Sequence, residues 1–211
     1  MSIIPDSRIT NIRKIESAES LYESYCDEIE KIKIDDLSNN ETWHYIESDA
    51  FKYKKILERL DEFKVLKEEN HICDCGVGLG RTLFYFFQKT KEINKKFNFY
   101  GIEKEKHYIE IFERNLRKFW GSKIQIFNQD IMDHDYSKYN IVYTYTPFKS
   151  IENLKLFYTK VLNEIKPGSV LIEYIENGNG MDNCLSNLSN ELTNIEKFQV
   201  GSICFFYKKE L

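Results

Sequence analysis

Two carboxylic acids, divided by a glycine turn and one helix's length of chain, are the residues through which this sequence first points to chemistry. Asp74 lies near the end of a short apolar run, His71-Ile72-Cys73-Asp74-Cys75, and leads into three alternating glycines, Gly76, Gly78 and Gly80. Glu103 ends a second apolar run that begins at Phe97. Bare glycines let backbone N–H groups and a helix N-terminus come close to a ligand that any side chain would hold off. An acid entering such a loop suits a ligand carrying an ammonium group. An acid ending the next strand can accept hydrogen bonds from both hydroxyls of a ribose, as in nucleoside-binding α/β folds. The dinucleotide fingerprint Gly-x-Gly-x-x-Gly fits less well, because its third glycine falls on Arg81.

The elements that must position these acids follow from periodicity. After the glycine loop, Leu83, Phe84, Phe86 and Phe87 form an apolar helical series, so the stretch reads as strand, tight loop, helix. The distance from Asp74 to Glu103 is what one right-handed β-α-β unit needs, which puts both acids on one edge of a parallel sheet. A helix over 107–119 buries Tyr108, Ile111, Phe112, Leu116 and Phe119, and Gly121 stops it. Residues 123–127 form the third strand and lead to Asn128-Gln129-Asp130-Ile131. The fourth strand and its exit run from Tyr139 to Phe148, through Tyr143, Tyr145 and Thr146-Pro147-Phe148. A helix over 151–165, the turn Lys166-Pro167-Gly168 and an apolar strand over 169–175 follow. Residues 198–209 read as a hairpin turning at Gly201-Ser202.

Taken in order, Asp74-x-Gly76-x-Gly78-x-Gly80, Glu103, Asp130-Ile131, Thr146-Pro147-Phe148 and Pro167-Gly168 resemble the motifs of the class I S-adenosylmethionine-dependent methyltransferases. The resemblance covers about residues 45–209. It implies a Rossmann-like three-layer α/β sandwich with a mainly parallel seven-stranded sheet and a C-terminal antiparallel hairpin. It implies S-adenosylmethionine as cofactor, held by Asp74, Gly76, Gly78, Gly80, Glu103, Asp130, Ile131 and Tyr143. In the family pattern Asp130 would accept from the adenine amine while Ile131 covers the ring. The acceptor site is expected at Tyr145, Thr146 and Phe148, with Tyr143, Tyr145 and Phe148 turning aromatic faces to the sulfonium. Family members that methylate planar amines carry Asn or Asp where this chain has Thr146, so their substrate does not transfer.

Ahead of this region, Leu21, Tyr25, Ile29 and Ile32 recur at helical spacing over about 18–34, and a second helix follows over 50–63. Residues 1–16 read as an irregular arm and 35–40 as a polar break. Trp43, His44 and Tyr45 precede the second helix, with Ser48 or Asp49 as its cap. This divides the chain into an N-terminal helical segment, 1–45, and a cofactor-binding domain, 46–211. Residues 177–190, rich in Gly, Asn and Ser, read as a loop with the option of a substrate lid.

With 42% hydrophobic residues the 211-residue chain can bury a sizeable core, and no apolar run is long enough to span a bilayer. The first residues show no secretory pattern, so a cytoplasmic location is expected. A net charge of −4 disfavours nucleic acid as acceptor against protein or a small molecule. The five cysteines show no zinc spacing, and no metal is expected. The expectation is therefore methyl transfer. A non-catalytic cofactor-binding protein is the alternative; an aminopropyl transferase or an NAD-dependent enzyme fits less well.

Overall fold

The computed structural model describes residues 18–32, 50–174 and 194–210. The expected arm over 1–16, the break at 35–40, the segment holding Trp43, His44, Tyr45, Ser48 and Asp49, the boundary at 45/46 and the loop over 177–190 lie outside the described residues. Two helices come first, α1 (Ala18–Glu30) and α2 (Ala50–Glu62). The sheet then builds as β1 (Glu69–Cys75), α3 (Arg81–Thr90), β2 (Lys96–Glu103), α4 (Lys106–Ile111) and α5 (Arg117–Trp120). A π-helical turn, Phe112–Leu116, joins the last two helices. The chain continues through β3 (Ile124–Asn128), β4 (Ile141–Tyr145), α6 (Ile151–Glu164), β5 (Val170–Tyr174), β6 (Ile195–Val200) and β7 (Ile203–Lys208).

The seven strands lie in the order β3-β2-β1-β4-β5-β7-β6. The pairs among β1 to β5 are parallel, β7 runs antiparallel to β5, and β6 runs antiparallel to β7. This is the expected architecture. The order reverses direction between β1 and β4, so a crevice opens at their carboxyl ends, where open α/β sheets hold ligands.

Strand alternation sorts the side chains onto two faces. Ile72, Phe99, Ile141, Tyr143, Ile172, Tyr174 and Phe205 pack with α1 to α5, whereas Cys73, Cys75, Ile102, Val142, Leu171 and Phe206 pack with α6. Both faces are covered, which is why the strands read as near-continuous apolar runs. Ser150 caps α6 by accepting from the Asn153 amide, satisfying one of the orphan donors of the first turn. The free cysteines Cys73, Cys75 and Cys204 are buried. Among the described residues no helix is long and apolar enough to cross a membrane.

Candidate functional site

The loop between β1 and α3 is built from its own backbone. Gly76, Gly78 and Gly80 have φ of 78°, 51° and 75°, a region that costs L-residues about 1–2 kcal/mol each. The Gly76 and Val77 amides both donate to the Ile102 carbonyl, at 2.9 and 3.0 Å, and the Gly80 amide returns to the Val77 carbonyl at 2.8 Å. This folds the loop back over β2, and Gly101 is what permits it. A Cβ on Gly101 would stand 2.7–2.9 Å from the Val77 side chain. A lone glycine inside a strand is a general sign of such a close approach, one that the sequence reading did not use.

Glu103 closes the loop from the other side. Its Oε2 accepts from the Gly78 amide at 2.9 Å and its Oε1 from the Glu105 amide at 2.9 Å. The acid is therefore a staple for the loop as well as a candidate ribose ligand. Asp74 lies on the same sheet face, 4% exposed, and Glu103 is 8% exposed. Burial first, and the neighbouring charge of Glu103 second, push the Asp74 carboxyl up to about 8. Burial likewise raises Glu103, against the lowering effect of the Glu105 and Gly78 amides. The pair is a buried acidic site in which the Glu103 charge weighs on Asp74, and a cationic ligand relieves it.

Asp130 sits on the loop after β3. Burial opposes its ionisation, but Lys104 and the Met132 amide, each at 2.9 Å, hold its carboxyl below the usual range. It is thus an ionised acceptor at the sheet's carboxyl edge. Ile131 turns inward to the α6 face, and its carbonyl accepts from the Tyr136 hydroxyl at 2.8 Å. The loop is held by a histidine that the sequence reading passed over. Gln129 Nε2 donates to Asp133 O at 3.0 Å, which turns its Oε1 to His134 Nδ1 at 2.9 Å. Nδ1 then carries the proton and Nε2 accepts from the Tyr139 hydroxyl at 2.8 Å. Burial lowers the His134 pKa, in keeping with a neutral ring.

The exit of β4 is not the single aromatic cluster that was expected. Tyr143 is 1% exposed, packs edge-on to Phe86 at 5.9 Å, and sets its hydroxyl near Thr82 and Asp74. Tyr145 is half-buried on the same face and stacks on Tyr174 at 4.7 Å and 15°. Phe148 packs on the opposite face, edge-on to Phe157 of α6 at 6.1 Å. Tyr143 and Tyr145 share one strand face, while the turn after β4 carries Phe148 to the other, so the three aromatics do not form one ring. Thr146 has φ 36°, an outlier for a β-branched residue, and its hydroxyl donates to the Tyr174 carbonyl at 3.1 Å. Backbone strain held by a buried hydrogen bond collects at functional edges. Tyr174 joins the candidate site here, although in sequence it was one apolar strand residue among several.

Among the described residues no group of three or more His, Cys, Asp or Glu is placed to hold a metal ion.

Residues 66–207 match the methyltransferase domain family. The chain belongs to that family. Among solved structures, this methyltransferase domain is similar to a Listeria monocytogenes protein assigned to the class I S-adenosylmethionine-dependent methyltransferases, with a TM-score of 0.68 at 14% identity over 92% of this chain and 69% of the other. A Thermotoga maritima S-adenosylmethionine-dependent O-methyltransferase gives 0.58 at 17% identity over 89% and 72%. A Salinibacter ruber RNA methyltransferase in complex with S-adenosylhomocysteine gives 0.54 at 13% identity over 79% and 95%. No curated protein sequence matches the chain. At these identities the solved structures show a shared fold, and that fold is the class I methyltransferase sheet.

Proposed function

We propose that this chain moves a methyl group from S-adenosylmethionine to an acceptor taken at the carboxyl ends of β4 and β5, with a protein or small molecule favoured over nucleic acid. The observation that carries the reading is the glycine loop at the sheet's switch point, stapled by Glu103 over the buried acid Asp74. The residues fit the cofactor. A Cβ on Gly76 would meet nothing within 4 Å, so the loop presents bare backbone to open space. Asp74 and Glu103 suit the ammonium and ribose ends of the donor, and Asp130 can accept from an amine.

When bound, S-adenosylmethionine supplies a methyl carbon activated by its sulfonium. An acceptor held in line with that carbon would need its lone pair aligned by the protein and, where it carries a proton, a path for that proton to solvent or a nearby base. The protein's part is alignment and exclusion of water. Tyr145, Thr146 and Tyr174 are the groups offered to that task, while Phe148 shapes the turn from below. The neighbours are described as acting on different acceptors, and fold alone does not choose among them. The net charge of −4 is what favours a protein or small molecule.

Calorimetric titration with S-adenosylhomocysteine and with NAD, side by side, tests the donor half: binding of the first and not the second is expected, and the reverse refutes the reading. Incubation of cell extract with labelled S-adenosylmethionine, resolved by product size, tests the transfer. Donor binding with no labelled product in any fraction would move the case to the non-catalytic alternative.

A further inference from the structure

Helix α1 lies outside the residues matched to the family, yet it reaches the donor loop directly. Tyr25 is fully buried, its ring stacked on Phe84 of α3 at 4.0 Å and 15°. Its hydroxyl donates to the Leu79 carbonyl at 2.6 Å and accepts from Trp120 Nε1 at 3.2 Å. The π-helical turn before α5 brings Phe112 to the same spot, so that a Cβ on Gly80 would stand 3.2 Å from the Tyr25 hydroxyl and 3.4 Å from Phe112. The peptide joining Leu79 and Gly80 is thereby held at both ends, its carbonyl by Tyr25 and its N–H by Val77 O. That peptide is the hinge between the glycine loop and the first turn of α3. If it rotates, the ψ of Leu79 and the φ of Gly80 change, and the loop that carries the Gly78 amide to Glu103 is re-aimed.

We propose that Tyr25 is a positioning residue for the methyl donor: α1, docked through this hydroxyl, selects the loop conformation that binds the cofactor. The proposal rests on the donor-site reading given above. Two arguments favour a role beyond packing. The apolar face of α1, Tyr22, Tyr25 and Ile29, would bury equally well with phenylalanine at 25, so the hydroxyl is not needed to cover α3. The atom it contacts is a loop carbonyl that helix α3 itself does not use. Coupling of this kind is reciprocal, so donor binding must also secure α1.

The test is titration of full-length wild type, Tyr25→Phe and Ile29→Val with S-adenosylhomocysteine, alongside thermal melts. Tyr25→Phe keeps the ring and removes the bonds to Leu79 O and from Trp120 Nε1; if a tenth of the molecules then hold the competent loop, the apparent Kd rises about tenfold. Ile29→Val loosens the same helix face one turn on, and is expected to lower Tm while leaving Kd within about twofold. Hydrogen exchange on the wild type supplies a readout independent of any variant's folding: S-adenosylhomocysteine should slow the amides of residues 21–30 together with those of 76–84. Equal Kd for Tyr25→Phe and wild type, equal weakening by Ile29→Val, or protection confined to 76–84 would each overturn the proposal while leaving the donor site standing. A wild type that binds no S-adenosylhomocysteine takes down the donor site and the proposal together.

Discussion

Replacing Glu103 separates its two tasks. In the ligand-free protein its carboxylate accepts from the Gly78 and Glu105 amides, both at 2.9 Å, and the residue is 8% exposed. Glu103→Ala leaves two N–H groups without their acceptor, at about 1–3 kcal/mol each where water cannot replace it. Glu105 is half-buried, so water recovers part of its share, and removing the charge also relieves Asp74. The net loss is about 2–3 kcal/mol, which in a domain of this size lowers Tm by about 4–12 °C. Glu103→Gln retains one acceptor but turns its NH2 to the other amide, and should fall between. Charge-assisted bonds to the ribose hydroxyls contribute about 1.5–3 kcal/mol each, so affinity for S-adenosylhomocysteine should drop at least about 100-fold in Glu103→Ala. Calorimetric melting without ligand and titration with it read the two effects apart. From sequence alone only the second was expected. A Glu103→Ala melt within about 2 °C of wild type would refute the staple, and an unchanged affinity would refute the ribose contact.

Asp74, raised from 3.8 to about 8, keeps a proton in the folded state that the unfolded chain releases, so its contribution to stability is full below about pH 4 and is lost as pH rises through about 8. The span is up to about 6 kcal/mol, and Asp74→Asn should flatten the fall of stability with pH; an unaltered slope between pH 5 and 8 counts against the buried acid. Gly76→Ala should cost about 1–2 kcal/mol of stability from its φ of 78° yet lower donor affinity further, because its Cβ points to open space, whereas Gly80→Ala, which presses on Tyr25 and Phe112, should cost more stability than Gly76→Ala. Paired melts and titrations that show the two variants alike would remove the distinction. Thr146→Val deletes the hydroxyl that donates to Tyr174 O while keeping the branched shape, and should lower methyl transfer in extract about tenfold with donor affinity unchanged and Thr146→Ser restoring it. Equal losses of donor affinity and transfer would place Thr146 in the cofactor site instead.

The sheet, the glycine loop and the strand ends that carry Asp74 and Glu103 were legible because they depend on local rules. Buried parallel strands read as apolar runs, helices between them show their period, and the φ > 0 positions at 76, 78 and 80 demand glycine. Glu103 could be placed because the β-α-β crossover fixes which strand end meets the loop. Its second role could not, since an acid that accepts from two backbone amides has the same sequence signature as one that waits for a ribose. The hairpin was legible through Gly201-Ser202, though β6 begins at Ile195, three residues before the expected start, where the sequence carries Glu196 and Lys197 on an edge strand.

What sequence could not show are contacts made across the fold between residues far apart in the chain. Tyr25 bonds to Leu79 over 54 positions, and Thr146 to Tyr174 over 28. A tyrosine at helical spacing reads as core, and Tyr25 is core; the information lies in where its hydroxyl ends, which the packing of α1 on α3 decides. The same limit applies to the exit of β4. Strand alternation keeps Tyr143 and Tyr145 on one face, but the positive φ at Thr146 turns the chain before Phe148, which packs on the other. The residue that joins Tyr145 at the edge is therefore Tyr174, its neighbour in register on β5, and not Phe148, its neighbour in sequence. For a sheet whose chemistry sits at its carboxyl ends, register across strands is a better guide to the acceptor site than a motif along one strand, and the Thr146–Tyr174 bond is where that register is locked.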